Sequence, residues 1–143
     1  MVSISRYFIW FAGIIVLQAS CKVNTYKNGV RSGGWVFRDT IDGVVIKNKG
    51  KFKNGVECKT WKYFQNTQLV KKEKYTDSIA DVWEYHANGK IKFHGKTTIT
   101  LHSKNKIIHW FYNGEWRKYN ESGKLILVQM YNTGQLVTET PIQ

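Results

Sequence analysis

The sequence predicts an all-β protein, an antiparallel meander of short hairpins that form one sheet. Aromatic residues recur two positions apart, as in Trp83-Glu84-Tyr85, and this alternation is typical of a strand with one buried face. The residues between turns are rich in Val, Ile, Thr and aromatic types, which favour strands. Turn signals arrive about every ten to thirteen residues, the spacing of short hairpins. These signals are Asp42-Gly43, Asn54-Gly55, Asn66-Thr67, Thr76-Asp77-Ser78, Asn88-Gly89, Ser103 to Asn105, Asn113-Gly114, Ser122-Gly123 and Thr133-Gly134.

The register of each hairpin follows from its loop length, because a slip of one residue moves a whole strand to the other face. A three-residue loop at residues 87–89 pairs Tyr85 with Ile91 and Trp83 with Phe93, so that four apolar side chains share one face. We favour this loop for that reason. The same reasoning predicts the pairs Tyr63 with Leu69, Tyr119 with Leu125, and Trp110 with Trp116, the last across a loop at Tyr112-Asn113-Gly114.

Residues 1–20 are expected to be a signal peptide. Arg6 is the only charged residue before Lys22, and an uninterrupted apolar run extends from Tyr7 to Leu17. This run is shorter than the roughly 20 apolar residues that span a bilayer. A basic start, a short apolar middle and small residues after it are typical of a secretory leader.

Ala19-Ser20-Cys21, after the apolar run, resembles the end of the lipobox in bacterial lipoprotein precursors. The resemblance implies that Cys21 carries palmitate-type acyl chains and holds the protein at the bacterial cell envelope, at the outer membrane rather than the inner one. Several acyl chains together give stable anchoring. Residues 21–32 would be the lipidated cysteine and a tether with little structure. Two alternatives stay open: secretion without lipid, which permits a Cys21–Cys58 disulfide in an oxidising compartment, and an uncleaved anchor.

The remaining chain resembles a known repeat. Gly33-Gly34-Trp35-Val36-Phe37 and Gly114-Glu115-Trp116 are similar to the opening of the variant MORN repeats of bacterial proteins, and Asn-Gly turns recur after such openings. The resemblance covers about residues 33–137. It implies hairpins in one elongated, twisted sheet within a domain at residues 33–139, with a tail at 140–143. Repeats of this family are often described as antitoxin-like, and no catalytic residues come with the motif.

Aromatic residues at the alternating positions are the predicted core of the repeats. A repeat unit buries its apolar face only against its neighbours, so these side chains should gather on one side of the sheet. The alternative is an aromatic row left partly open as a platform for a ligand. The predicted core aromatics are Trp35, Phe37, Trp61, Tyr63, Trp83, Tyr85, Trp110, Trp116 and Tyr119.

The chain is strongly basic, with a formal net charge of +12. Alternating lysines on a strand can bind phosphates of a lipid headgroup or of nucleic acid. With a signal peptide in place, nucleic acid is not an expected partner, whereas a protein partner or anionic lipid headgroups are. The alternative is a solvated face whose lysines discourage pairing of sheet edges. The candidate binding residues are Lys47, Lys49, Lys51, Lys53, Lys71, Lys72 and Lys74.

Neither a metal, a cofactor nor catalysis is indicated by the motifs. The four histidines lack metal-ligand spacing, and the carboxylates are few and unpaired. The sequence therefore predicts a non-catalytic, lipid-anchored binding or scaffolding module. The alternatives are a soluble antitoxin-like protein that binds a partner toxin, and a hydrolase of envelope polymers.

Overall fold

The computed structural model describes residues 22–102 and 107–143. The described residues form one open sheet of ten strands in the order of the chain, each antiparallel to its neighbours. The predicted all-β meander is therefore confirmed. Its strands are β1 (Thr25–Lys27), β2 (Val30–Ile41), β3 (Val44–Lys53), β4 (Val56–Gln65), β5 (Gln68–Thr76), β6 (Ile79–Tyr85), β7 (Ile91–His102), β8 (Ile107–Tyr119), β9 (Leu125–Asn132) and β10 (Gln135–Pro141).

Most predicted Asx-Gly pairs are tight turns between strands. At Asn28-Gly29, Asp42-Gly43 and Asn54-Gly55 both residues have positive φ, as two-residue hairpin turns with the right twist require. The predicted loop at Tyr112-Asn113-Gly114 is wrong. Strand β8 runs straight through it, and Trp110 pairs with Ile99 of β7 rather than with Trp116.

Two of the predicted registers are confirmed, namely Tyr85 with Ile91 and Tyr119 with Leu125. The partners predicted for Trp83 and Tyr63 are wrong. A register shift between Glu84 and Tyr85 pairs Trp83 with His94 instead of Phe93. The reason is a β-bulge, in which one extra residue in one strand moves every later side chain to the opposite face of the sheet.

A register shift also explains the wrong partner predicted for Tyr63. Tyr63 pairs with Lys71, and its neighbour Phe64 pairs with Leu69. The turn before this bulge contains two residues rather than three, since Gln65 pairs with Gln68.

The expected tether is partly ordered. Strand β1 and the first residues of β2 lie within residues 21–32, so the expectation of little structure there is wrong from Thr25 onward. The reason is a local clamp. The side-chain amide of Asn24 donates to the Val36 carbonyl at 3.1 Å, and its oxygen accepts from the Val36 N–H at 2.8 Å. Residues 1–20, for which a signal peptide is predicted, and Cys21 lie outside the described residues.

Directly paired residues of an antiparallel sheet point to the same side, so the registers assign each side chain to one of two faces. We call the side that carries Trp61 the aromatic face and the other side the basic face. Of the predicted core aromatics, Trp35, Phe37, Trp61, Tyr63, Trp110 and Trp116 lie on the aromatic face.

Trp83, Tyr85 and Tyr119 lie on the basic face and are only half-buried. The prediction of one common aromatic side is therefore wrong for these three residues. Their positions follow from the direct pairing of Trp83 with Lys72 and from strict alternation along β6 and β8.

Two tryptophans are buried because each lies over a glycine of the adjacent strand. Trp61 covers Gly50 and Trp116 covers Gly95. Each indole N–H donates to the carbonyl of the residue after that glycine, Lys51 or Lys96, at 3.0 Å. Because a glycine has no side chain, the ring contacts the backbone directly, and Trp116 is fully buried in a single-layer sheet.

Candidate functional site

The alternating lysines of β3 lie on the basic face, as the sequence predicts. Lys49 and Lys51 pair with Lys62 and Cys58 of β4, and Lys47 and Lys53 share their side of the strand. Lys72 and Lys74 of β5 join them. Lys71 does not, because it lies on the aromatic face, where its ammonium is 2.7 Å from the Glu73 carboxylate. The prediction that Lys71 lies with the other candidate binding lysines is therefore wrong.

Lysines also face each other across strands. Lys49 pairs directly with Lys62, and Lys62 pairs directly with Lys72. Side chains in direct register have Cβ atoms about 4.5–5.5 Å apart, and like charges placed there destabilise a sheet. This row of three lysines is therefore unfavourable for the isolated fold.

The next two residues in this cross-strand row, after Lys72, are Trp83 and His94. The Lys72 ammonium lies 4.0 Å from the Trp83 ring centroid, and Trp83 stacks on His94 at 5.2 Å with an interplanar angle of 11°. Burial lowers the pKa of His94 below its usual 6.5, and the charge of Asp81 works in the opposite direction while Arg117 lowers the pKa further. The lowered pKa favours the uncharged form of the imidazole that stacks on Trp83.

Acidic and basic residues are segregated between the faces. In the described strands β2 to β5 the basic face has no carboxylate, whereas Asp39, Glu57 and Glu73 lie on the aromatic face. The acids on the basic face come later, where Asp81 pairs with Lys74 and Lys96. Glu115 is the other acid on the basic face of the described strands, and its carboxylate accepts a hydrogen bond from Arg117. The lysines of β3 and β4 therefore lack a neutralising partner on their own side of these strands.

Two grooves open on the basic face at corresponding places in the repeats. The first has a volume of about 400 Å³, and the described residues that line it include Gly34, Lys49, Lys51, Lys59 and Lys62. Four lysines and no carboxylate are among them. We call it the lysine groove.

The second groove, of about 380 Å³, is lined by His94, Lys96, Gly114, Glu115 and Arg117. Here the Glu115 carboxylate accepts a hydrogen bond from Arg117 at 2.6 Å. The two grooves are therefore similar in place and size but different in charge.

Sequence reasoning missed Lys59 and Lys62. Their relation to the β3 lysines depends on the β3–β4 register, which shifts between Lys49 and Lys51. This bulge has two extra residues in β4, since Gly50 alone lies opposite residues 59–61, and Lys59 there has a positive φ of 61°. The only local signal was the basic spacing of Lys59 and Lys62 itself.

A buried carboxylate on the aromatic face forms a second polar cluster. Glu73 is 7% exposed, and its Oε2 accepts from the hydroxyls of Tyr63 at 2.5 Å and Tyr75 at 2.6 Å. Burial, together with the Glu73 charge, raises the pKa of both phenols well above 10. Because both hydroxyls stay protonated and already donate to Glu73, the arrangement supports the core rather than a reaction.

Among residues 22–102 and 107–143, no group of three or more His, Cys, Asp or Glu is arranged to hold a metal ion. Cys58 is a free, half-buried thiol there, while Cys21 lies outside. No helix in the described part is long and apolar enough to cross a bilayer.

Comparison of the chain with protein-family models, with curated proteins and with solved structures found no match.

Proposed function

We propose that this protein is a non-catalytic binding module of the bacterial cell envelope, with a MORN-like repeat sheet that docks its basic face on an anionic membrane surface. The observation that carries the proposal is the direct cross-strand register of Lys49, Lys62 and Lys72. The recurrence of a tryptophan over glycine, at Trp61 and Trp116, supports the repeat assignment.

Electrostatics favours a negatively charged partner for this face. Like charges in direct register cost stability, and a partner surface that carries anions removes this cost on binding. A lysine near an anionic lipid surface contributes about 1 kcal/mol to binding. Because the acids of β2 to β5 lie on the other face, they do not oppose this attraction at close range.

The position of strand β1 supports an anchor at Cys21. The sheet begins at Thr25, and four residues of extended chain span at most about 14 Å. A lipid on Cys21 would thus hold the β1 edge within about 14 Å of the headgroups. The anchor and the lysines would then act on the same surface.

Vesicle flotation tests the docking. The full chain is mixed with vesicles of phosphatidylcholine alone or with added phosphatidylglycerol, at low and high salt. We expect anionic lipid to increase binding, and the double variant Lys49→Gln/Lys62→Gln to lose most of that increase. The matched control is Lys92→Gln/Lys118→Gln, which removes the same charge beside Glu84 on the aromatic face. Equal losses in both variants, or no effect of anionic lipid, would overturn the proposal.

Fatty-acid labelling in cells tests the anchor. Label should be present in the wild type and in Cys58→Ser but absent from Cys21→Ser. If Cys21→Ser is labelled like the wild type, the anchor is wrong. Mass spectrometry that finds an intact N-terminus on soluble protein would favour the antitoxin-like alternative instead.

A further inference from the structure

We infer that the lysine groove is a discrete binding site for a phosphate monoester group. The inference deepens the proposed function, since it names the chemical group that one part of the basic face would recognise. It is carried by the shape of the groove, the lysines among the residues that line it and the contrast with the second groove.

The groove exists because the basic face lacks side-chain bulk between β2 and β3. Gly34 lies on this face, in direct register with Lys51, and an added Cβ there would be in ordinary contact with Val23 at 3.6 Å. Strands β3 and β4 also shift register beside it. The result is a pocket of about 400 Å³, large enough for a phosphate group and part of the molecule that carries it.

The lysines reach the groove from two strands. Lys49 and Lys51 come from β3, and Lys59 and Lys62 come from β4. An ammonium has three donors and no acceptor, so these side chains suit a ligand that is rich in acceptors. A phosphate monoester has three such oxygens and a charge of about −1.5 to −2 at neutral pH, which suits several lysines better than a single carboxylate does.

The backbone at Lys59 is strained where it lines the groove. Its φ of 61° is in the left-handed region, which is unfavourable for lysine and more usual for Asn, Asp or Gly. Such strain is concentrated at binding sites, where the surrounding structure maintains it. Lys59 is nevertheless among the residues that line the groove, and no carboxylate is among them.

The second groove shows what the same architecture gives when a carboxylate lies among the cations that line it. Its Arg117 already donates to Glu115 at 2.6 Å, and both residues line it. An anion entering there would have to compete with a carboxylate. The protein therefore contains its own comparison site for an anion titration.

Titration with inorganic phosphate at constant ionic strength tests the inference. Amide resonances of the ¹⁵N-labelled full chain are followed, and saturable shifts are expected at Gly50, Lys59 and Lys62 but not at Gly95 or Gly114. Lys51→Gln/Lys59→Gln should weaken the affinity by about tenfold or more. The control Lys47→Gln/Lys74→Gln removes equal charge from the same face outside the groove and should change the affinity by less than about twofold.

Linear, unsaturable shifts, or equal weakening in both variants, would overturn the discrete site. Vesicles then distinguish the sources of the phosphate. Stronger flotation with phosphatidic acid than with phosphatidylglycerol assigns a lipid headgroup, because only the former is a monoester. Saturable phosphate binding without that preference supports the site and assigns a soluble phosphate ester. If phosphate saturates while phosphatidylglycerol has no effect, the surface-docking proposal fails and the groove assignment stands.

Discussion

The indole of Trp61 lies against Gly50 so closely that an added Cβ on the glycine would overlap the ring. Gly50 belongs to β3 and Trp61 to β4, and the indole N–H donates to the carbonyl of Lys51. Trp116 and Gly95 repeat the relation. This pairing lets a sheet with no second layer bury large side chains against its own backbone.

Gly50→Ala should destabilise the protein substantially. The methyl group has no space beneath the indole, and overpacking of this kind costs about 1–3 kcal/mol. The measurement is the free energy of unfolding in urea. Gly34→Ala is the matched control, because its new Cβ would be 3.6 Å from Val23. Equal stability of the two variants would contradict the close contact.

Replacement of Trp116 should cost more than replacement of Trp83. Trp116 is fully buried on the aromatic face, and truncation of such a side chain costs about 3–5 kcal/mol. Trp83 lies on the basic face, half-buried beneath Lys72 and beside His94. Thermal unfolding of Trp116→Ala and Trp83→Ala compares them, and similar losses would mean that both indoles belong to the same core.

Glu73→Gln should destabilise the fold although it removes a buried charge. The carboxylate accepts from Tyr63 and Tyr75 and pairs with Lys71, whereas a glutamine amide directs donors at one of these groups. An unsatisfied buried hydrogen bond costs about 1–3 kcal/mol. Glu57→Gln, on the same face but without such partners, is the control in urea unfolding. A stability unchanged by Glu73→Gln would show that these bonds contribute nothing.

Stability should fall in alkaline solution because of the same cluster. The folded-state pKa of Tyr63 and Tyr75 is raised above the usual 10.0 by burial and by Glu73. The unfolded chain therefore loses these protons first, and the stabilisation present below pH 10 is lost as the pH rises above it. Melting temperatures between pH 8 and 11 measure the effect.

The double variant Tyr63→Phe/Tyr75→Phe should weaken this alkaline loss. Tyr26→Phe is the control, since Tyr26 is 64% exposed. A loss of the same size in all three proteins would attribute it to other groups.

The sequence predicts the fold class well because turn chemistry and alternation are local. The face of the β3 lysines is also predictable, since the bulge beside them has its two extra residues in β4 and leaves the alternation along β3 unchanged. Trp83 is predicted on the wrong face because its side of the sheet depends on the β4–β5 and β5–β6 registers, which pair it with Lys72 on the basic face.

Asn113-Gly114 shows the same limit. Gly114 does have a positive φ, of 71°, but it serves an irregularity within β8 and not a turn. Local preference is identical for both uses, so only pairing with β7 and β9 distinguishes them. The lysine groove was not predictable for a related reason, because it depends on the registers of three strands at once.

The open meander has a consequence for how the molecule comes apart. All extensive contacts join strands that are consecutive in the chain, and β10 is exposed along its whole length. Such an array opens from its ends like a zipper, with each unit held only by the next. Deuterium should therefore enter β10 early and the central strands late, so that the C-terminal edge can fray while the lysines of β3 and β4 keep their arrangement.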